Sequence, residues 1–190
     1  MSAGTVKSRA SLPGCESAVS GARSDKSAVT VVIADTSPIN YLVMIGEAGI
    51  LERLYGRVLI TKEVMAELVD AGAPAAVRAW AMGFPKWVEI RKGPTPDVSL
   101  GELDAGEASA IALAETEGDV LLLIDEAAGR REANRRGIRN TGTLGVLRSA
   151  AVAGLVDLAV ALERLRGTNF RASRTLVEGL LAEDLERRQG

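Results

Sequence analysis

Two stretches of this chain, AVTVVIA at 28–34 and DVLLLI at 119–124, carry apolar or β-branched residues at almost every position. A strand with one wet face alternates polar with apolar. A strand without alternation is buried on both faces, as in a parallel sheet covered by helices. RVLI (57–60) and WVEI (87–90) read as two more strands, and Ile138–Thr141 as a short last one. Helical patterns fill the gaps. Thr36 or Ser37 is expected to cap a helix with Pro38 at its first position, and Ile39, Leu42 and Val43 recur at helical spacing. Ile50–Tyr55, a helix capped by Thr61, another from Pro74 to Gly83, Leu103–Glu117, residues 126–136 and Ser173–Arg187 follow. Strand and helix alternate, so the fold class is α/β: a parallel sheet between helices on two faces.

The first 28 residues break this pattern. They hold seven Ser, three Gly and five Ala, and few large aliphatics, too little apolar surface to offset the entropy of ordering. We expect a disordered tail over 1–28 and one domain over 29–190. The N-terminus lacks a basic-then-apolar signal pattern. The most apolar segment, 143–162, contains Arg148 and Asp157 and is expected to be two packed helices, not a membrane span. With a lone cysteine, Cys15, no disulfide closes within the chain, and a cytoplasmic location without membrane contact is expected.

The chain has no histidine. That removes Ser-His-Asp and Cys-His catalysis and His-based zinc sites, and leaves carboxylates for acid–base or metal chemistry. Sites in open α/β sheets lie beyond the carboxyl ends of the strands. Asp35 follows the first buried strand; Asp125 and Glu126 follow the other. Glu63 and Glu67 share a helix face at i, i+4, and Asp104 and Glu107 at i, i+3. Acids in a first helical turn also complement the helix dipole. That suffices for Glu63, Asp104 and Glu126, for Asp125 if it caps its own helix, and for Glu67 if it is simply solvated. It explains Asp35 less well, because Thr36 and Ser37 can do the capping. Carboxylates that converge repel one another and must stay protonated or take a cation. Oxygen-only clusters favour Mg²⁺ or Mn²⁺, ions suited to phosphodiester hydrolysis.

The order of segments VVIADTSPINYLVMIGEAGILERLYGRVLI, TKEVMAELVDAG, LDAGEASAIALAETEGDVLLLIDEAAGRREANRRG and TGTLGVLRSA resembles the PIN-domain nucleases, and within them the subgroup DUF3368; FRASRTLVEGLL resembles the subgroup's last helix. The resemblance covers about 30–185. It implies a three-layer α/β/α PIN-like domain with a parallel sheet of about five strands. By position it implies Asp35, Glu67, Glu107 and Asp125 as the catalytic, metal-holding acids, with Glu126 the alternative to Asp125. Thr36 or Ser37 is expected to orient Asp35 or a water at the metal, and Arg130 to contact phosphate. It further implies RNA as substrate, Mg²⁺ or Mn²⁺ as cofactor, a homodimer, and a cognate antitoxin if the chain is the toxin of a toxin–antitoxin pair.

GRREANRRGIR (129–139) holds five Arg within reach of a phosphate backbone, although a solvated face with a Glu132–Arg136 pair accounts for most of them. No aromatic stacking platform is evident in this segment. A haloacid-dehalogenase-type phosphatase would need an acid two residues after Asp35, where Ser37 stands, and a response-regulator receiver a Lys after the last strand, whereas no Lys follows Lys92. A PIN-like module that only binds RNA or a protein is the alternative to a nuclease.

Overall fold

The computed structural model describes Met1 and residues 30–189. The expected tail, Met1 apart, lies outside the described residues. Five strands, β1 (Val31–Ala34), β2 (Val58–Thr61), β3 (Val88–Arg91), β4 (Val120–Leu123) and β5 (Arg139–Thr141), form one all-parallel sheet in the order β3-β2-β1-β4-β5. The chain leaves β1 toward one edge and later returns to β1's other side as β4, paired Val31↔Val120 through Ala34↔Leu123. The order therefore reverses between β1 and β4, and a crevice opens beyond their carboxyl ends.

The apolar strands work on both faces, as their lack of alternation requires. Val32, Ala34, Val58, Ile60 and Leu123 belong to one core cluster; Ile33, Leu59, Val120, Leu122 and Ile124 belong to the other. The first core is closed by α1 (Thr36–Met44), α2 (Ile50–Tyr55), α3 (Lys62–Val69), α4 (Ala75–Ala81), α7 (Thr143–Val152) and α8 (Leu158–Arg166), the second by α5 (Ala105–Ala114) and α6 (Ala127–Arg135). This is the three-layer α/β/α arrangement. From Gly106 to Ala114 every residue of α5 is buried. Its sequence, AGEASAIALA, is small enough to let α3 and the sheet pack close on all sides.

The apolar segment 143–162 divides into α7 and α8, and α9 (Arg174–Gln189) packs across both. Among the described residues no helix is long and apolar enough to cross a membrane. α5 is shorter at both ends than the expected Leu103–Glu117, and the start of α1 also departs from expectation. The N-cap of α1 is Asp35, not Thr36 or Ser37. Asp35 has extended backbone (φ −77°, ψ 170°) and accepts the Ser37 N–H. Pro38 therefore falls at the third helical position, where its missing N–H costs nothing, because the first four amides of a helix have no partner within it.

Candidate metal centre

Asp35 ends β1, and its amide donates to the Leu123 carbonyl of β4 at 2.9 Å, which fixes it over the crevice. Its side chain is buried, with the residue only 2% exposed. Oδ2 accepts the Ser37 N–H at 3.4 Å, while Oδ1 is buried without a partner. Burial drives the Asp35 pKa up to about 8; the amides of Thr36 and Ser37 oppose that, and the charges of Asp104 and Glu107 add to it.

Glu67 is not the solvated mid-helix residue that its position in α3 allows. Its Oε1 accepts the Gly106 N–H at 2.7 Å, and its Oε2 accepts the Thr36 hydroxyl. The Thr36 hydroxyl thus orients Glu67, while Asp35 is served by the backbone amides of Thr36 and Ser37. Asp104 caps α5, accepting the Glu107 N–H at 2.8 Å. One carboxylate oxygen each from Asp35, Glu67 and Asp104 lies within 4.8 Å of the other two. Sequence reasoning placed Asp104 among the helix-start acids and explained it by the helix dipole. Its spacing from Glu107 was the available signal.

Glu107 points inward from α5, 4% exposed, with Oε1 unpartnered. Burial first, then the charges of Asp104, Glu126 and Glu67, raise its pKa to about 7. Asp125 stands apart from this group. Its Oδ1 accepts the Thr143 N–H at 2.8 Å and its Oδ2 the Thr143 hydroxyl at 2.6 Å. It therefore binds the first amide of α7, whose N-cap is Gly142, and does not cap its own helix, whose N-cap is Glu126. Burial pushes Asp125 up, while Thr143 and Arg130 pull it down. Glu126 is exposed and makes no capping bond. Its charge is felt at both Glu107 and Asp125, so it links the two halves of the acidic surface.

Three glycines let three of these carboxylates approach the backbone. A Cβ on Gly106 would come 2.5 Å from Glu67 Oε2, and one on Gly129 would come 2.7 Å from Glu107 Oε1. One on Gly142 would overlap Asp125 Oδ1. The positions of the acids are thus written into the helices behind them as missing side chains.

A family model described as PIN domain, DUF3368, matches residues 31–186. The chain belongs to the PIN-domain family. No curated protein and no solved structure matches it. PIN domains are generally nucleases that use a divalent metal. The donor set of this PIN domain fits such a metal. It is made of oxygen only, it runs from buried Asp35 through half-buried Glu67 to exposed Asp104, and Asp35 brings a buried, unpartnered oxygen whose proton a cation can replace.

Proposed function

We propose that this PIN domain is a Mg²⁺- or Mn²⁺-dependent ribonuclease. The convergence of Asp35, Glu67 and Asp104 oxygens within 4.8 Å, with Asp35 Oδ1 lacking any other partner, carries the reading. A divalent ion supplies water activation and charge neutralisation at a phosphodiester. The chain's own residues do the rest. Asp35, Glu67 and Asp104 hold the ion. The Thr36 hydroxyl and Gly106 amide fix both oxygens of the Glu67 carboxylate, so its orientation costs nothing when the ion arrives. Glu107, titrating near neutrality at a free Oε1, is the available proton acceptor. Asp125 and Glu126 border the site on the β4 side, and Arg130 sits behind Asp125 to receive phosphate. We further propose a cellular setting as the toxin of a toxin–antitoxin pair, working as a homodimer whose antitoxin covers the acids.

The test compares wild type with Asp35→Asn on single-stranded RNA, in Mg²⁺ or Mn²⁺ and in chelator. Wild type should cut only with metal, and the variant should lose on the order of 10²-fold or more in rate. Equal cleavage by the two proteins would refute the assignment.

A further inference from the structure

Beside the acids, on the side of α6 and α7, lies a cleft of about 720 Å³. Its walls come from parts of the chain far apart in sequence. Tyr41 of α1 and Phe170 of the α8–α9 connection meet edge-to-face, with ring centroids 4.8 Å apart at 83°. Arg130 from α6 and Arg171 from the same connection supply two guanidinium groups, and Asp125 and Glu126 close the end nearest the metal centre. Tyr41 reports how close these charges are. Burial raises its hydroxyl pKa, Asp125 and Glu126 raise it further, and Arg171 lowers it.

The two arginines are unusual in this protein. Arg135 and Arg136 bond Glu132, Arg139 bonds Asp119, and Arg57, Arg91, Arg148, Arg164, Arg166, Arg174, Arg187 and Arg188 all form ion pairs. Arg78 donates to backbone carbonyls. Among the described residues the only arginines whose guanidinium groups make no hydrogen bond or ion pair are Arg53, Arg130, Arg131 and Arg171, and two of these four share one cleft. A cleft with cations alone would suit a bare phosphate, and one with anions alone a metal. This one offers both, plus aromatic rings, in a volume typical of small-ligand sites.

We propose that the cleft seats the nucleotide next to the scissile phosphodiester, with its phosphate between Arg130 and Arg171 and its base against Tyr41 and Phe170. A nucleotide carries in one unit what the walls ask for. Its phosphate accepts from the guanidinium forks. Its ring packs on the aromatic edge. Its ribose hydroxyls and exocyclic amines donate to Asp125 and Glu126, and the 2′-hydroxyl is the group by which RNA differs from DNA. The aromatic platform that the sequence near 129–139 lacks is thus assembled by the fold from positions 41 and 170. The assignment rests on the ribonuclease reading for its substrate class.

The experiment measures binding of a fluorescently labelled single-stranded RNA to the full chain in chelator, where no cleavage occurs. Wild type is compared with Arg171→Ala and with Arg53→Ala, the unpaired arginine of α2. Both residues are exposed, so both variants fold. Arg171→Ala should weaken binding about 5- to 10-fold and reduce the slope of log affinity against log salt by about 0.7, one phosphate contact. Arg53→Ala should bind like wild type. A 5-iodouracil-substituted RNA should crosslink to Tyr41 or Phe170. Binding by Arg171→Ala equal to that of Arg53→Ala, or crosslinks elsewhere, overturns the cleft; if wild type still cuts with metal, the nuclease reading survives that result. Binding through the cleft without metal-dependent cleavage upholds the cleft and sinks the nuclease.

Discussion

Asp35→Asn should make the metal-free protein more stable while removing its metal site. A buried carboxyl held at about 8 in the folded protein, against an ordinary value of 3.8, binds its proton more tightly folded than unfolded. Between about pH 4 and pH 8 the unfolded chain is ionised there and the folded protein is not. Its stabilising contribution is complete below about pH 4 and is lost as pH rises through 8, at about 1.4 kcal/mol per unit. The full shift amounts to about 5 to 6 kcal/mol. Half of that, about 3 kcal/mol, is already a large share of the ~5–15 kcal/mol of a typical domain. Asparagine does not titrate. It remains a good N-cap for α1, and its amide can donate to a neighbouring carboxylate instead of repelling it.

Thermal unfolding in chelator at several pH values checks this. For a domain of this size 3 kcal/mol corresponds to roughly 6–12 °C. The variant should melt that much above wild type at pH 8, and the curves should converge toward pH 4–5. Glu107, at about 7, adds a slope of the same sign that persists in the variant. Mn²⁺ should raise the wild-type melting temperature and close the gap. A variant no more stable than wild type at pH 8, or a gap independent of pH, would refute the reasoning.

Metal binding at pH 7 should release about one proton, chiefly from Asp35, and affinity should fall as pH drops; calorimetry in buffers of different ionisation enthalpy measures both. Gly106→Ala, which helix propensity alone would favour, should instead cost about 1–3 kcal/mol and impair metal binding, because the new methyl would displace the Glu67 carboxylate; melting and metal titration report the two effects. Thr143→Val keeps the amide bond to Asp125 but removes the hydroxyl donor, and should destabilise by about 1–3 kcal/mol in chemical denaturation.

The sheet was legible because its signal is local. VVIA and LLLI have no polar position to place toward water, which leaves a two-faced sheet, and the capping Thr61 and the breaks at Gly56 and Gly137 stand at the element ends. The acids after β1 and β4 followed from topology alone. What sequence could not show was partnership. Glu67 and Gly106 are 39 positions apart, Asp125 and Thr143 are 18, and Tyr41 and Phe170 are further still. No periodicity links them; only the return of the chain to the same end of the sheet does. The arginine-rich helix was half legible. The Glu132–Arg136 pair is there, and Arg136 also bonds Asp97, Glu115 and Ser99 from neighbouring segments.

Helix capping and a place in the candidate metal centre are compatible duties for one carboxylate. Asp35 caps α1 through Oδ2 and leaves Oδ1 free. Asp104 caps α5, and Glu67 also binds an amide of that first turn. Asp125 binds the first amide of α7. The N-termini of α1 and α5 therefore face the Asp35–Glu67–Asp104 cluster, that of α7 faces Asp125 beside it, and their positive dipole ends offset part of the repulsion among the acids. Capping fixes Asp35 and Asp104 in place, and an ion bound as proposed would meet the free Asp35 oxygen already positioned. Removing a cap by mutation should consequently loosen the metal site, and filling the metal site should stabilise the helices that end there.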